Sequence, residues 1–139
     1  WGDWGIDYIK YDMCSYSEVV AAKNKKFEVK SFWNDPSKTN AFLPELKKPY
    51  VVMRDALKLQ NRDIVYSLCQ YGWGEVWKWG AEMNGNLWRT TGDIEDTWSS
   101  LFSIGFSQHH NHMYAKPGRW NDPDMLIVGK VGWGPALHP

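Results

Sequence analysis

The 139-residue chain is poor in cysteine, with only Cys14 and Cys69, carries no excess charge of either sign, and has no apolar run long enough to span a bilayer. Two cysteines cannot build a disulfide framework and their spacing fits no metal site, although one pairing with a cysteine outside the chain stays open. Sixteen basic residues against sixteen acidic ones leave no electrostatic footprint of the kind nucleic acid or anionic lipid selects, so a neutral ligand fits better. The apolar pattern gives no membrane span, and no signal-peptide pattern opens the chain. The start at Trp1 instead of Met and the abrupt ends lead to the expectation that these residues are an excerpt from a longer protein.

Aromatic residues, by contrast, are plentiful: ten Trp, seven Tyr and five Phe. Flat aromatic faces suit the C–H patches of sugar rings as well as they suit a protein core, and most of these will be core. With 43% hydrophobic residues, the chain has the composition of one globular domain.

Ile6 to Tyr11 is short, β-branched and aromatic, and bounded by Gly5, which predicts a strand whose alternation puts Lys10 and Asp12 on one face. Ser15 to Tyr50, with breaks at Asp35-Pro36 and Leu43-Pro44, predicts a long loop holding one short helix. Val51 to Gln60 has helical spacing of its apolar residues. Arg62 to Gln70, Asn86 to Thr90 and Arg119 to Asp122 predict three further strands, and a helix is expected to start at Asp93 and run through Trp98 and Phe102. Strands alternating with helices predict an α/β fold with a parallel sheet. If that sheet is a barrel, the chemistry sits where strands end, which brings Asp12, Gln70, Asp93 and Asp124 to one rim.

Asp12 and Asp93 end separate segments, each with a basic residue nearby, Lys10 and Arg89. Two carboxylates delivered by separate backbone elements are what cleavage of a glycosidic bond requires, one to attack the sugar and one to protonate the leaving oxygen. Plainer readings compete. Asp93, followed by Ile94-Glu95-Asp96, also fits a helix N-cap with an acidic first turn. Asp12 with Lys10 also fits a structural ion pair. Asp122 before Pro123 reads as a turn residue. His109-His110-Asn111-His112 matches no standard zinc spacing and reads as a helix end. Among Trp73, Trp77 and Trp79, core packing is expected for two, with Trp73 the candidate for stacking on a sugar.

Lys10-Tyr11-Asp12-Met13-Cys14, Tyr66-Ser67-Leu68-Cys69, Trp88-Arg89-Thr90-Thr91-Gly92-Asp93-Ile94 and Trp120-Asn121-Asp122-Pro123-Asp124-Met125-Leu126 together resemble glycoside hydrolase family 27, the alpha-galactosidase (melibiase) family. Four motifs in the same order make the resemblance specific, and it is weakest between Ser15 and Tyr50. It implies a TIM (β/α)8 barrel of which residues 1–139 cover about strands four to seven, so that this stretch alone is not expected to close a barrel or turn over substrate. It also implies an alpha-galactoside substrate, no metal or organic cofactor, and a secreted, periplasmic or lysosomal setting.

By the same resemblance, Asp12 matches the catalytic nucleophile and Asp93 the general acid/base. Lys10, Arg89 and Asp124 match residues that hold sugar hydroxyls, Met125 lies beside them at the pocket wall, and Cys14 matches a cysteine disulfide-bonded to an upstream partner. A general acid must keep its proton, and a direct guanidinium contact opposes that, so Arg89 is assigned to the substrate instead of to Asp93. The loop Cys69 to Trp73 is expected to set specificity at the second sugar carbon. Gln70 and Trp73 replace the small residues of relatives that accept N-acetylgalactosamine and so favour galactose. The commoner Cys-Glu-Trp is absent, which passes that hydroxyl contact to an amide. An alpha-N-acetylgalactosaminidase of the same family, or a galactose-binding homologue without catalysis, are the competing readings.

Overall fold

Four short β-branched and aromatic segments become strands: β1 (Tyr8–Asp12), β2 (Val65–Cys69), β3 (Leu87–Arg89) and β4 (Trp120–Asp122). They were placed by a computed structural model, which describes residues 2–27 and 36–125. Every neighbouring pair is parallel and the strands lie side by side in chain order, β1-β2-β3-β4. Sequential order without reversal is the arrangement of a barrel wall; a doubly wound sheet changes direction at a switch point. The α/β expectation therefore holds, as an arc of a (β/α)8 barrel.

The helices differ most from expectation. Besides α1 (Tyr16–Lys23), the stretch expected to be a loop forms the first part of a 23-residue helix, α2 (Pro36–Lys58), running through Pro44 and Pro49. Asp35 lies outside the described residues, while Pro36 occupies the first helical position, where a missing N–H costs nothing. An internal proline costs about 3 kcal/mol. Thr39, Phe42, Leu43, Leu46, Tyr50, Met53 and Leu57 recur at helical spacing along one stripe that packs into the core, with Leu46 and Tyr50 wholly buried. Burying each such side chain contributes about 1.5–3 kcal/mol, so the stripe offsets both prolines.

Two further α-helices among the described residues are α3 (Val76–Trp79) and α4 (Trp98–Phe106). The latter begins five residues after Asp93 and is capped by Thr97, whose hydroxyl accepts the Ser100 N–H at 3.1 Å. Asp93 is therefore no N-cap, and residues 90–97 form a loop at the end of β3. The histidine cluster extends α4 as a 3₁₀ helix, Ser107–Tyr114, with His110 edge-on to Trp77.

Residues 66–69 of β2 are buried on both faces, as expected of a parallel strand covered on each side. Tyr66 and Leu68 face the helices, where Tyr50 and Trp79 meet them. The buried Tyr50 hydroxyl donates to the Cys69 carbonyl at 3.0 Å, so no polar group is stranded there. Trp88 on β3 is fully buried, donates its indole N–H to Asn121 Oδ1 at 2.7 Å, and lies flat on Gly80. A Cβ at Gly80 would sit 2.6 Å from the Trp88 ring. Gly80→Ala is therefore expected to destabilise the full-length protein by about 1–3 kcal/mol, read as a lower urea midpoint at unchanged m-value.

Candidate active site

Strand pleating and register place the chemistry-bearing side chains in one row. Asp12 pairs with Cys69 across β1 and β2, Ser67 with Leu87 and Leu68 with Trp88 across β2 and β3, and Arg89 with Asp122 across β3 and β4. Carried one step further, the β2–β3 register sets Cys69 beside Arg89, whose Nη1 points at the thiol from 4.0 Å. Asp12, Cys69, Arg89 and Asp122 thus cross the sheet on its inner face at the C-terminal ends of the strands. Neighbouring strands are about 4.8 Å apart, so the backbones of Asp12 and Arg89 stand about 10 Å from each other.

Tyr71 spans that gap. Its hydroxyl lies 3.1 and 3.0 Å from the two oxygens of Asp12 and donates to them, while its ring faces the Arg89 guanidinium at 5.6 Å. Burial, followed by the neighbouring Cys69 and the Asp12 hydrogen bond, pushes the Tyr71 phenol well above its ordinary value, so its proton stays in place. Asp12 also accepts the Cys14 N–H at 3.2 Å. Lys10 follows the pleat onto the same face and is exposed, but among the described residues no ion pair joins it to Asp12.

Arg89 contacts Asp93 directly, which corrects the assignment that kept them apart. Its Nη2 lies 2.9 Å from Asp93 Oδ1, 2.9 Å from the Gly92 carbonyl and 2.8 Å from Asp124 Oδ2. The reason is burial: the Arg89 side chain is 3% exposed and must be neutralised where it sits. Asp124, 12% exposed, is the buried counter-charge, whereas Asp93 is 78% exposed and reaches in from solvent. An ion pair with so exposed a partner contributes about 0.2–1 kcal/mol and is readily exchanged for another contact.

Asp124 has a second task. Its Oδ2 accepts the Ile94 N–H at 2.9 Å, which ties the loop carrying Asp93 to the end of β4. Its backbone is left-handed, φ 98°, and its N–H is taken by Asp122 Oδ1 at 3.0 Å, so Asp122 is the turn residue expected. Met125 is exposed beside it, and Leu126, the end of that motif, lies outside the described residues.

Gln70, expected at the rim, is completely buried, and neither its amide nitrogen nor its oxygen has a hydrogen-bond partner. Trp79 is buried in the core, and Trp73 and Trp77 are both half-buried against it, with Trp73 also tilted against Tyr71 at 5.5 Å. Cys14 and Cys69 are free thiols. A cavity of about 380 Å³, lined by Arg54, Arg62, Val65 and Asn86 among others, lies at the opposite, N-terminal end of the strands. Tyr71 is the site residue that sequence reasoning passed over. Its signal in the sequence is a tyrosine set in a Gln-Tyr-Gly turn directly after a strand.

An arc of parallel strands that gathers carboxylates, a guanidinium and a phenol at its C-terminal ends is the functional face of a (β/α)8 barrel. A family model described as alpha galactosidase A, of the melibiase group, matches residues 37–136. The chain is 39% identical over 129 residues to the alpha-galactosidase of Cyamopsis tetragonoloba, covering 93% of this chain and 25% of that protein. It is 36% identical over 135 residues to the alpha-galactosidase of Oryza sativa subsp. japonica, covering 97% and 26%. The crystal structure of alpha-galactosidase I from Mortierella vinacea superposes with a TM-score of 0.65 at 27% identity, covering 93% of this chain and 32% of that one. The chain belongs to the alpha-galactosidase (melibiase) family, glycoside hydrolase family 27, and spans about a quarter of the length of the curated relatives it matches.

Proposed function

We propose that the protein carrying these residues removes terminal α-linked galactose from oligosaccharides or glycoconjugates by double displacement. The Asp12 carboxylate attacks the anomeric carbon while Asp93 gives its proton to the departing glycosidic oxygen, leaving a sugar ester on Asp12. Water then attacks the same carbon, Asp93 takes the water proton, and Asp12 leaves as a carboxylate. The two steps return every proton and need no cofactor.

The observation that supports this most is the unbroken run of contacts from Asp12 through Tyr71 and Arg89 to Asp93. It runs along the C-terminal ends of β1 to β3. A sugar arriving there competes with the exposed Asp93 for the Arg89 Nη2. In this reading Lys10 and Asp124 also hold hydroxyls, with Met125 at the wall. The bulk of Tyr71 and Trp73 disfavours an acetamide at the second sugar carbon, whereas the wholly buried Gln70 does not line the rim.

Paired assays on the full-length protein test this. A nitrophenyl α-galactoside is expected to be hydrolysed with kcat/KM higher than the N-acetylgalactosaminide by on the order of 100-fold or more. Proton NMR of the early reaction should show α-galactose before mutarotation. Equal rates on both glycosides would make the enzyme an alpha-N-acetylgalactosaminidase, β-galactose as first product would exclude a covalent ester, and galactose binding without release would leave a binding homologue.

A further inference from the structure

Tyr71 has four features that packing alone does not require. Its hydroxyl is centred on both oxygens of one carboxylate. Its backbone is left-handed, φ 65°, a conformation a bulky residue adopts only when the surroundings impose it. The surroundings do so through Gly72, also left-handed, whose N–H donates to the Arg89 carbonyl at 3.0 Å and whose absent Cβ would lie 2.3 Å from the Thr90 carbonyl oxygen. The turn is thus locked against β3. Finally, the ring is held between Trp73 and the Arg89 guanidinium, which leaves the hydroxyl little freedom to leave Asp12.

We propose that Tyr71 is a positioning residue acting through Asp12, holding its carboxylate and stabilising that carboxylate as the leaving group when the sugar ester breaks down. The inference rests on the reading of Asp12 as nucleophile. The two chemical steps move charge on Asp12 in opposite senses. During attack the carboxylate loses its charge to the new C–O bond, and the Tyr71 hydrogen bond weakens from charge-assisted to neutral. During breakdown water oxygen bonds to the anomeric carbon, the carbon–Asp12 oxygen bond breaks with its electron pair returning to the carboxylate, and the water proton passes to Asp93. Tyr71 keeps its own proton throughout, and its hydrogen bond strengthens as the charge returns. Only an interaction stronger in the transition state than before it speeds a step. The phenol therefore favours breakdown over attack.

Tyr71→Phe in the full-length protein separates this from a packing role, since it removes one oxygen and keeps both ring contacts. On a dinitrophenyl galactoside, whose leaving group needs no proton, breakdown limits kcat. The variant is expected to lose about 10- to 100-fold in kcat, the range of a hydrogen bond to a charged group. Its kcat/KM, which reports attack, should stay within about threefold, so KM falls with kcat. A burst of dinitrophenolate and a galactosyl adduct by intact-mass spectrometry of quenched turnover should appear. Equal loss of kcat and kcat/KM without a burst, or no change in either, overturns the proposal, as does a variant without a cooperative melt, because the hydroxyl would then be structural. A wild type that hydrolyses no α-galactoside overturns the functional reading together with this one, whereas an active wild type with an unaltered variant overturns only this one.

Discussion

Asp12→Ala in the full-length protein is expected to lower kcat on α-galactosides by at least about 10⁴-fold, with azide restoring release of an activated aglycone and converting the galactosyl group to a β-galactosyl azide. That loss corresponds to about 5.5 kcal/mol of transition-state stabilisation. It is expected because among the described residues no other carboxylate shares the Asp12 position: Cys69 beside it is a buried thiol held up in pKa by burial, and Asp93 reaches the site from two strands away. Removing the carboxylate leaves a gap against the anomeric carbon that a small anion fills, and attack from that side inverts the anomer. The substitution should not unfold the barrel. Asp12 sits at a strand end, half-buried, and its partners are the Tyr71 hydroxyl and the Cys14 N–H, both near solvent. Turnover within tenfold of wild type, or α-galactosyl azide as product, would refute the assignment.

Asp93→Ala is expected to divide substrates by leaving group. A natural oligosaccharide departs as an alkoxide unless it is protonated, so kcat/KM should fall by about 10²- to 10⁴-fold. A dinitrophenyl galactoside should lose far less in that parameter. Its kcat should still fall, because Asp93 also activates water in the second step, and azide, which needs no base, should restore it. Asp93 is mostly exposed and its ion pair with Arg89 is worth little to stability, while the buried Arg89 keeps Asp124 as counter-charge. The activity change is therefore separable from folding, which a urea melt will verify. Uniform loss across both substrates would remove the acid role.

Much of this was legible in the sequence. The four strands were marked by short β-branched and aromatic runs ending in turn-forming residues; β2 to β4 fall inside the expected segments, and β1 runs one residue past its own. Pleat alternation alone put Lys10 and Asp12 on one face. The helices were harder. Proline is a strong local breaker, and its effect on α2 is overridden by a stripe of contacts to residues distant in the chain, such as Phe27, Tyr66 and Cys69, which no local window contains. Asp93 followed by two acidic residues had the look of a helix start, and Thr97, with a better cap geometry, took that place.

The sequence by itself determined the strand and motif order, the two carboxylates and the family, because these depend on residue identity and local spacing. Only the tertiary structure decided which side chains meet. That Tyr71 reaches Asp12, and that a buried Arg89 binds Asp93 and Asp124 with one nitrogen, depends on strand register and on burial. A charge taken out of water must find a counter-charge within a few ångströms, and which one it finds is settled by packing across strands far apart in the chain.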